Sequence, residues 1–289
     1  MKILLVYKMS TYDYYRHQGR RLPDKADRLN HKKFTDTHRC HYRTLRGIED
    51  FLKSRAVIYR KVWRGRKMDY SPYDLIMTIG GDGTFLEAAR HVDRQPILGI
   101  NSDPRWSVGR YCAADNKNYR TFVDAFLAGR IRLIRLHRLV LTVPTSAVQV
   151  NILNDILICH KNPAAMSRYR LRIGKISEEQ RGSGVWIATA SGSSGAIRSS
   201  GGRRLPWTCD RWQYLPRELY HGFRKEYRLQ GSSLQADESI RITSLMKDGM
   251  VFADGAHYHL PFFFGDQLLI RSSKHSLRVA VGIKKHVAC

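Results

Sequence analysis

The sequence predicts two units of different class: an α/β unit with a mainly parallel sheet over residues 1–131, then an all-β, sandwich-like unit over 132–289. Three observations predict it. Before residue 131, strand and helix patterns alternate and several strands are apolar throughout, as in a parallel sheet covered on both faces. One of those strands ends in Gly80-Gly81 and runs straight into a helical pattern. From Ile131 onward, short β-like runs follow one another across polar connections, the pattern of an antiparallel sandwich.

The elements follow in order. Residues 2–8 alternate and are rich in β-formers. Residues 31–54 are polar, with Leu45, Ile48 and Leu52 near helical spacing, and predict a helix. Ala56-Val57-Ile58-Tyr59 predicts a second strand, and Leu75-Ile76-Met77-Thr78-Ile79 a third. Thr84 to Val92 is helical, and Pro96-Ile97-Leu98-Gly99-Ile100 is again a strand. The second unit holds β-like runs at Leu139–Val143, Val148–His160, Tyr169–Ile173, Val185–Ala190, Ser239–Leu245, Met250–Ala253, His257–Phe263, Gln267–Ile270 and Leu277–Val281. Residues 203–230 carry Arg, Trp, Tyr and Pro without a clear period and predict no element.

Composition narrows the function. With 289 residues, 43% of them hydrophobic, the chain can bury a sizeable core. No apolar run approaches the ~20 residues that cross a bilayer, and Met1–Tyr7 is too short and strand-like for a signal peptide. A soluble cytoplasmic protein with no membrane partner is expected. Cys40, Cys112, Cys159, Cys209 and Cys289 are odd in number and scattered, with no Cys-x-x-Cys pair, so idle thiols are expected rather than zinc ligands or disulfides. Fifty Lys and Arg against 25 acids give a formal charge of +25, which attracts polyanions. The basic residues spread from Arg16 to Lys285, densest over Arg60–Lys67, and form no aromatic-laced stripe of the nucleic-acid kind. A diffuse basic surface on an enzyme of anionic substrates, with no specific nucleic-acid partner, is the preferred reading.

Three motifs carry chemistry. Gly80-Gly81-Asp82-Gly83-Thr84 lies between a strand and a helix. Its glycines admit a phosphate close to the backbone, and the helix N-terminus offers unpaired N–H groups to an anion. A carboxylate in such a loop repels phosphate, so Asp82 serves elsewhere: it accepts a hydroxyl proton, binds ribose or holds a metal. A tight turn that happens to contain Asp is the alternative. Asn154-Asp155 closes the apolar run before it. Thr189-Ala190-Ser191-Gly192-Ser193-Ser194-Gly195-Ala196, followed by Ser199-Ser200-Gly201-Gly202, offers small hydroxyls and free amides. Alone, the last two read as turns or loops. Neither a P-loop nor the protein-kinase motif set is present.

Together, in this order, the three motifs resemble the NAD kinase family over about residues 72–202. The likeness continues weakly through Asp254-Gly255 and Phe264-Gly265-Asp266. Gly99-Ile100-Asn101-Ser102-Asp103-Pro104 looks more like the mitochondrial-type branch than the common bacterial one. The resemblance implies phosphoryl transfer from ATP, or another donor such as polyphosphate, to the 2′-hydroxyl of NAD's adenosine ribose. It implies Asp82 as general base, with Gly80, Gly81, Gly83 and Thr84 around the nucleotide. Asn154 and Asp155 would hold ribose, and Ser191, Gly192, Ser193, Ser194, Ala196 and Ser199 would wrap the adenosine. Ser183 stands where the common bacterial pattern has Asp, and Ser194-Gly195-Ala196 where it has Thr-Ala-Tyr, so a stacking tyrosine is lost. Arg181 is a candidate phosphate contact. The site is expected in the cleft between the units, with Mg²⁺ carried mainly by the donor's phosphates, no metal ligands of the protein's own, and a homo-oligomer.

Weaker candidates are set aside. His257 and His259 lack a third ligand nearby, and Arg203-Arg204 reads as solvated charge. A lipid kinase sharing the first motif, drawn to anionic membranes, and a nucleic-acid-binding protein on a kinase-derived fold are the rival readings.

Overall fold

Parallel pairing in the first third of the chain begins with strand β1 (Lys2–Tyr7), followed by helices α1 (Thr11–His17) and α2 (Arg28–Ser54). Next come β2 (Ile58–Trp63), β3 (Leu75–Gly80), α3 (Asp82–His91), β4 (Pro96–Asn101), β5 (Cys112–Asp115), α4 (Tyr119–Leu127) and β6 (Ile131–Leu136). The computed structural model describes residues 1–19, 28–222 and 226–284; Lys285 and Cys289 lie outside them. β1 pairs in parallel with β2 and β3, β3 with β4, and β4 with β5.

Both β3 and β4 are buried along their whole length, which explains why neither alternates in sequence. Helix α2 closes one face: Leu45, Ile48 and Leu52, spaced i, i+3, i+7, pack with Ile3, Leu5, Leu75, Met77 and Leu98 in one core. Helix α3 buries Phe85, Ala88 and Ala89, and the Phe85 ring stacks on Tyr111 with centroids 5.1 Å apart.

The second unit, Arg135–Ser276, continues with β7 (Leu139–Val143), β8 (Val148–Ile152), β9 (Asp155–His160), β10 (Ser167–Ile173), β11 (Ile176–Gly182) and β12 (Gly184–Ala188). A 3-10 turn (Ser191–Ser194) and α5 (Ala196–Ser199) follow, then β13 (Trp212–Arg217), β14 (Ser232–Leu234), β15 (Ser239–Ser244), β16 (Gly249–Ala253), β17 (Tyr258–Phe262) and β18 (Gln267–Ser272). Two antiparallel sheets form, in the orders β11-β10-β15-β18-β7-β8 and β14-β13-β12-β9-β16-β17. One core joins their inner faces, with Leu141, Ile152, Leu171 and Ile242 from the first and Ile158, Ile187, Trp212 and Val251 from the second.

The structure differs from the sequence reading at three places. The run 148–160 is two strands in different sheets, because the chain turns a corner at Leu153-Asn154. The unassigned stretch holds β13, in which Trp212, Gln213 and Tyr214 are all buried and erase any period. The last strand, β19 (Leu277–Ile283), does not belong to the sandwich: it pairs in parallel with β4 and lies between β4 and β6 in the first sheet. A single boundary at 131/132 therefore misses this return, since a short apolar strand does not announce which sheet it joins.

Leu277 is fully buried in β19. Leu277→Ala is expected to remove about 2–5 kcal/mol of stability, as large-to-small core changes do. Native-state amide exchange should show protection falling in β4 and β6 while β7–β18 keep theirs; the reverse pattern would contradict the assignment.

Candidate active site

Strand order reverses at β1: β2 lies on one side of it, β3 and β4 on the other. Open α/β sheets bind ligands outside the carboxyl ends of the strands at such a switch point. Those ends are tied together here. Arg64 N–H donates to Tyr7 O at 2.9 Å, Lys8 N–H to Ile79 O at 3.3 Å, and Ser102 N–H to Gly80 O at 3.0 Å.

Gly80-Gly81-Asp82-Gly83-Thr84 is the turn from β3 into α3, and Gly81 caps the helix in an extended conformation. The glycines are required by packing. A Cβ on Gly80 would strike the Thr84 side chain, and one on Gly81 the Ser107 hydroxyl. The exposed Gly83 lies beneath Arg64, whose Nη1 stands 3.4 Å from where a Cβ would be. Among the three glycines Gly83 is the exposed one, at the N-terminus of α3 with the Arg64 guanidinium beside it, and a helix N-terminus with a cation nearby suits an anion. Thr84 Oγ1 is buried there with no hydrogen-bond partner among the described residues. Tyr111 N–H donates to Asp82 Oδ1 at 2.9 Å and so fixes the carboxylate at the head of the turn.

The second and third motifs meet in the sandwich unit. Thr189 Oγ donates to Leu153 O at 2.6 Å and accepts the Gly192 N–H at 2.9 Å, while Ser191 Oγ donates to Leu153 O at 2.8 Å. Gly192 lies so close to Asn154 that a Cβ would collide with its carbonyl. Asn154 Nδ2 donates to Asp155 Oδ2 at 3.2 Å, and a Cβ on Gly195 would come within 3.5 Å of the same carboxylate oxygen.

Asp254 builds the corner between β8 and β9. Its carboxylate accepts the N–H groups of Leu153 (3.1 and 3.2 Å) and Asn154 (2.6 Å). Its own N–H donates to Asp155 O at 2.8 Å, and its φ is +52°, a left-handed conformation that Asp tolerates better than most residues. Burial, and next the Asp254 charge, push the Asp155 carboxyl up to about 7.

Some predicted residues stand apart from this cluster. Ala188 lies opposite Asp155, whereas Gly184 begins the other end of β12, roughly 13 Å away at ~3.3 Å per residue. Ser183 and Arg181 lie beyond it, and Arg181 pairs with Glu179 at 3.1 Å. Ser193 is buried and its hydroxyl donates to Ala190 O and accepts the Leu205 N–H. Ser194 is half-buried, and Ala196 and Ser199 are exposed on α5. Sequence reasoning left out Asp254, although its Asp-Gly at a strand end was the available signal. Lys8 and Arg64 were not singled out; Arg64 lies in the densest basic stretch, whose place at the strand ends only the sheet order reveals.

Residues 17–131 match the family model described as the ATP-NAD kinase N-terminal domain. A probable NADH kinase of Oryza sativa subsp. japonica is 29% identical over 84% of this chain and 82% of its own length. An NADH kinase of Arabidopsis thaliana is 28% identical over 96% and 95%. A crystal structure of an NAD kinase from Archaeoglobus fulgidus in complex with ATP superposes with a TM-score of 0.69 at 22% identity, covering 97% of this chain and 93% of that one, and shows the shared fold.

The carboxylate pair makes stability depend on pH. Asp155 moves from 3.8 up to about 7 on folding, so its contribution is whole below its unfolded value and is lost as pH rises through 7. Urea midpoints of the wild type should fall between pH 5 and pH 8. Asp254→Asn, which keeps an acceptor but removes the like charge, should flatten that fall; an unchanged slope would show that Asp254 does not hold Asp155 up.

Proposed function

We propose that the chain is a member of the NAD kinase family, to which its similarities point, and that it moves the γ-phosphoryl group of ATP to the 2′-hydroxyl of the adenosine ribose of NAD, giving NADP. The observation that carries this reading is the glycine turn at the sheet's switch point with Asp82 at its head, oriented by the Tyr111 amide. The amides of α3 cradle phosphate, and Asp82 accepts the hydroxyl proton. The ribose oxygen attacks the γ-phosphorus, its proton passes to Asp82, and the β–γ bridging bond breaks to release ADP. Such transfers need positioning and charge neutralisation more than covalent help.

Asp155 and Asn154, braced by Asp254 and by Gly192, bond the ribose hydroxyls. Ser191 to Ser199 surround the adenosine, with Ser193 contributing through the fold of the loop. Mg²⁺ would be held mainly through the donor's phosphates, since that ion usually keeps few protein ligands. When bound it offsets the donor's negative charge. No helix among the described residues is long and apolar enough to cross a membrane. In the cytoplasm the free thiols of Cys40, Cys112, Cys159 and Cys209 would stay reduced. The adjacent exposed rings of Phe263 and Phe264 give a homo-oligomer a contact surface.

A coupled assay for NADP⁺ and NADPH formation with ATP tests the activity. Asp82→Asn keeps shape and most hydrogen bonds but removes the proton acceptor, and kcat should fall by ~10²–10⁴-fold while NAD still raises the melting temperature. Near-normal kcat would leave the turn a phosphate cradle without a base. Asp155→Ala should instead raise KM for NAD with kcat little changed, because a ribose contact exists before and during transfer. A large loss of kcat at constant KM contradicts that role.

A further inference from the structure

Strand pairing in the sandwich gathers arginines that lie scattered in the sequence. Arg168, Arg170 and Arg172 alternate along β10 with Tyr169 and Leu171, which are fully buried in the core. The three arginines therefore share the outer face of their sheet. Register extends that face. Arg172 lies opposite Arg241 on β15, and Ser239 of β15 opposite Arg271 on β18. On the other side Arg168 lies opposite Arg181 on β11. Six arginines thus stand on four neighbouring strands. Among the described residues in register on this face the one acid is Glu179, which pairs with Arg181. The other five arginines form no ion pair among the described residues.

The arrangement costs stability. Like charges directly opposite one another on antiparallel strands repel. Alternate arginines of β10 stand only ~7 Å apart at ~3.4 Å per residue, within the ~8 Å Debye length of physiological salt. A multivalent anion laid over the face relieves that repulsion. A notch of about 260 Å³ lies among Arg172, Arg241, Ser239 and Gly174, and the space beside Gly174 is open. Two guanidinium groups and a hydroxyl around a notch suit a phosphate group.

The shape of the face selects among polyanions. It is the broad side of a sheet rather than a groove that tracks a strand, and it carries no aromatic ring on which bases could stack. Its centre is charged, where protein–protein interfaces have apolar, charge-depleted centres. Five like charges also exclude the same face of a second copy, which a two-fold axis would set against it. At its Arg168 end the face has an apolar rim. Phe263 and Phe264, 53% and 72% exposed, stand on the turn into β18. That turn bonds the backbone of Ser244 through Gly265 and Asp266, and Ser244 pairs with Tyr169, next to Arg168. Cations on one broad face with aromatic rings at its edge match an anionic bilayer surface.

We propose that the outer face of this sheet docks on the anionic leaflet of a membrane, with Arg170, Arg172 and Arg241 meeting lipid phosphates and Phe263 and Phe264 entering the headgroup layer, so that the protein binds membranes peripherally and reversibly. A protomer bound this way gives the rings to lipid in place of a second copy. Asp155 and the serine-rich turn belong to the other sheet and its connection, so the contact uses none of that cluster. The inference does not rest on the kinase reading.

Flotation of the full chain with vesicles tests it. The wild type should float with vesicles of equal parts phosphatidylserine and phosphatidylcholine, stay behind with phosphatidylcholine alone, and be released by raised salt. Each arginine near an anionic surface contributes about fivefold to binding. Arg170→Gln, Arg172→Gln and Arg241→Gln together should therefore weaken adsorption by about 100-fold. The melting temperature of that variant should not fall, since the change relieves like charges. Lys117→Gln, Arg120→Gln and Arg132→Gln remove the same charge from exposed positions of the other unit and should leave flotation nearly unchanged. The assignment is overturned if the wild type ignores anionic vesicles, or if the two triple variants lose binding alike. It is also overturned if an oligonucleotide, single-stranded or duplex, at equal phosphate concentration strips the wild type from the vesicles, which would make nucleic acid the partner.

Discussion

Backbone meets its neighbours at Gly80, Gly81 and Gly192 with no room for a β-carbon, and the local geometry of both glycine-bearing motifs depends on that closeness. At Gly80 and Gly81 the neighbours are Thr84 and Ser107, so β3 can turn into α3 against the end of β4 only where side chains are absent. At Gly192 the neighbour is the Asn154 carbonyl, so the serine-rich turn can lie on the β8–β9 corner. The absent side chains at Gly81 and Gly192 therefore bring segments distant in sequence into contact.

The two motifs have opposite electrostatic surroundings. Around the glycine turn, the helix amides, Lys8 and Arg64 are all positive in character, suited to phosphate. In the sandwich Asp155 and Asp254 are buried carboxylates, Asp254 accepting the Leu153 and Asn154 backbone N–H groups and Asp155 the Asn154 side-chain amide, and carboxylates suit hydroxyls as partners. Asp82 is the exception, an acid inside the positive half, and the Tyr111 amide that receives it holds it at the mouth of the turn. The chain's formal charge of +25 adds a long-range bias toward anions, but the local bias comes from the few cations at the strand ends.

Much of this was legible in the sequence. The apolar runs 75–79 and 96–100 declared buried parallel strands, and the glycine turn declared its place between strand and helix. Asn154-Asp155 and the 189–199 run were visible as motifs, and the structure joins them through Thr189, Ser191 and Gly192. What stayed hidden depends on long-range pairing. Nothing local in Leu277–Ile283 tells that it enters the first sheet, and nothing around Asp254 tells that its carboxylate receives amides a hundred residues away. Arg181 and Ser183 lay near the third motif in sequence, but an extended strand carried them away from it in space. The run 148–160 kept one apolar character across two sheets because both its segments face the same core.

The position of β19 has a consequence for how the chain emerges from a ribosome. A parallel sheet whose interior strand is Leu277–Ile283, between β4 and β6, cannot close while those residues are still in the exit tunnel. The sandwich, Arg135–Ser276, holds all its strands earlier in synthesis. At translation speeds of ~5–20 residues per second, the N-terminal half then waits on the order of ten seconds after its own first six strands are made, with the Pro96–Ile97 end of β4 still lacking its β19 partner. For this protein the unit translated first is the one whose sheet can be completed last.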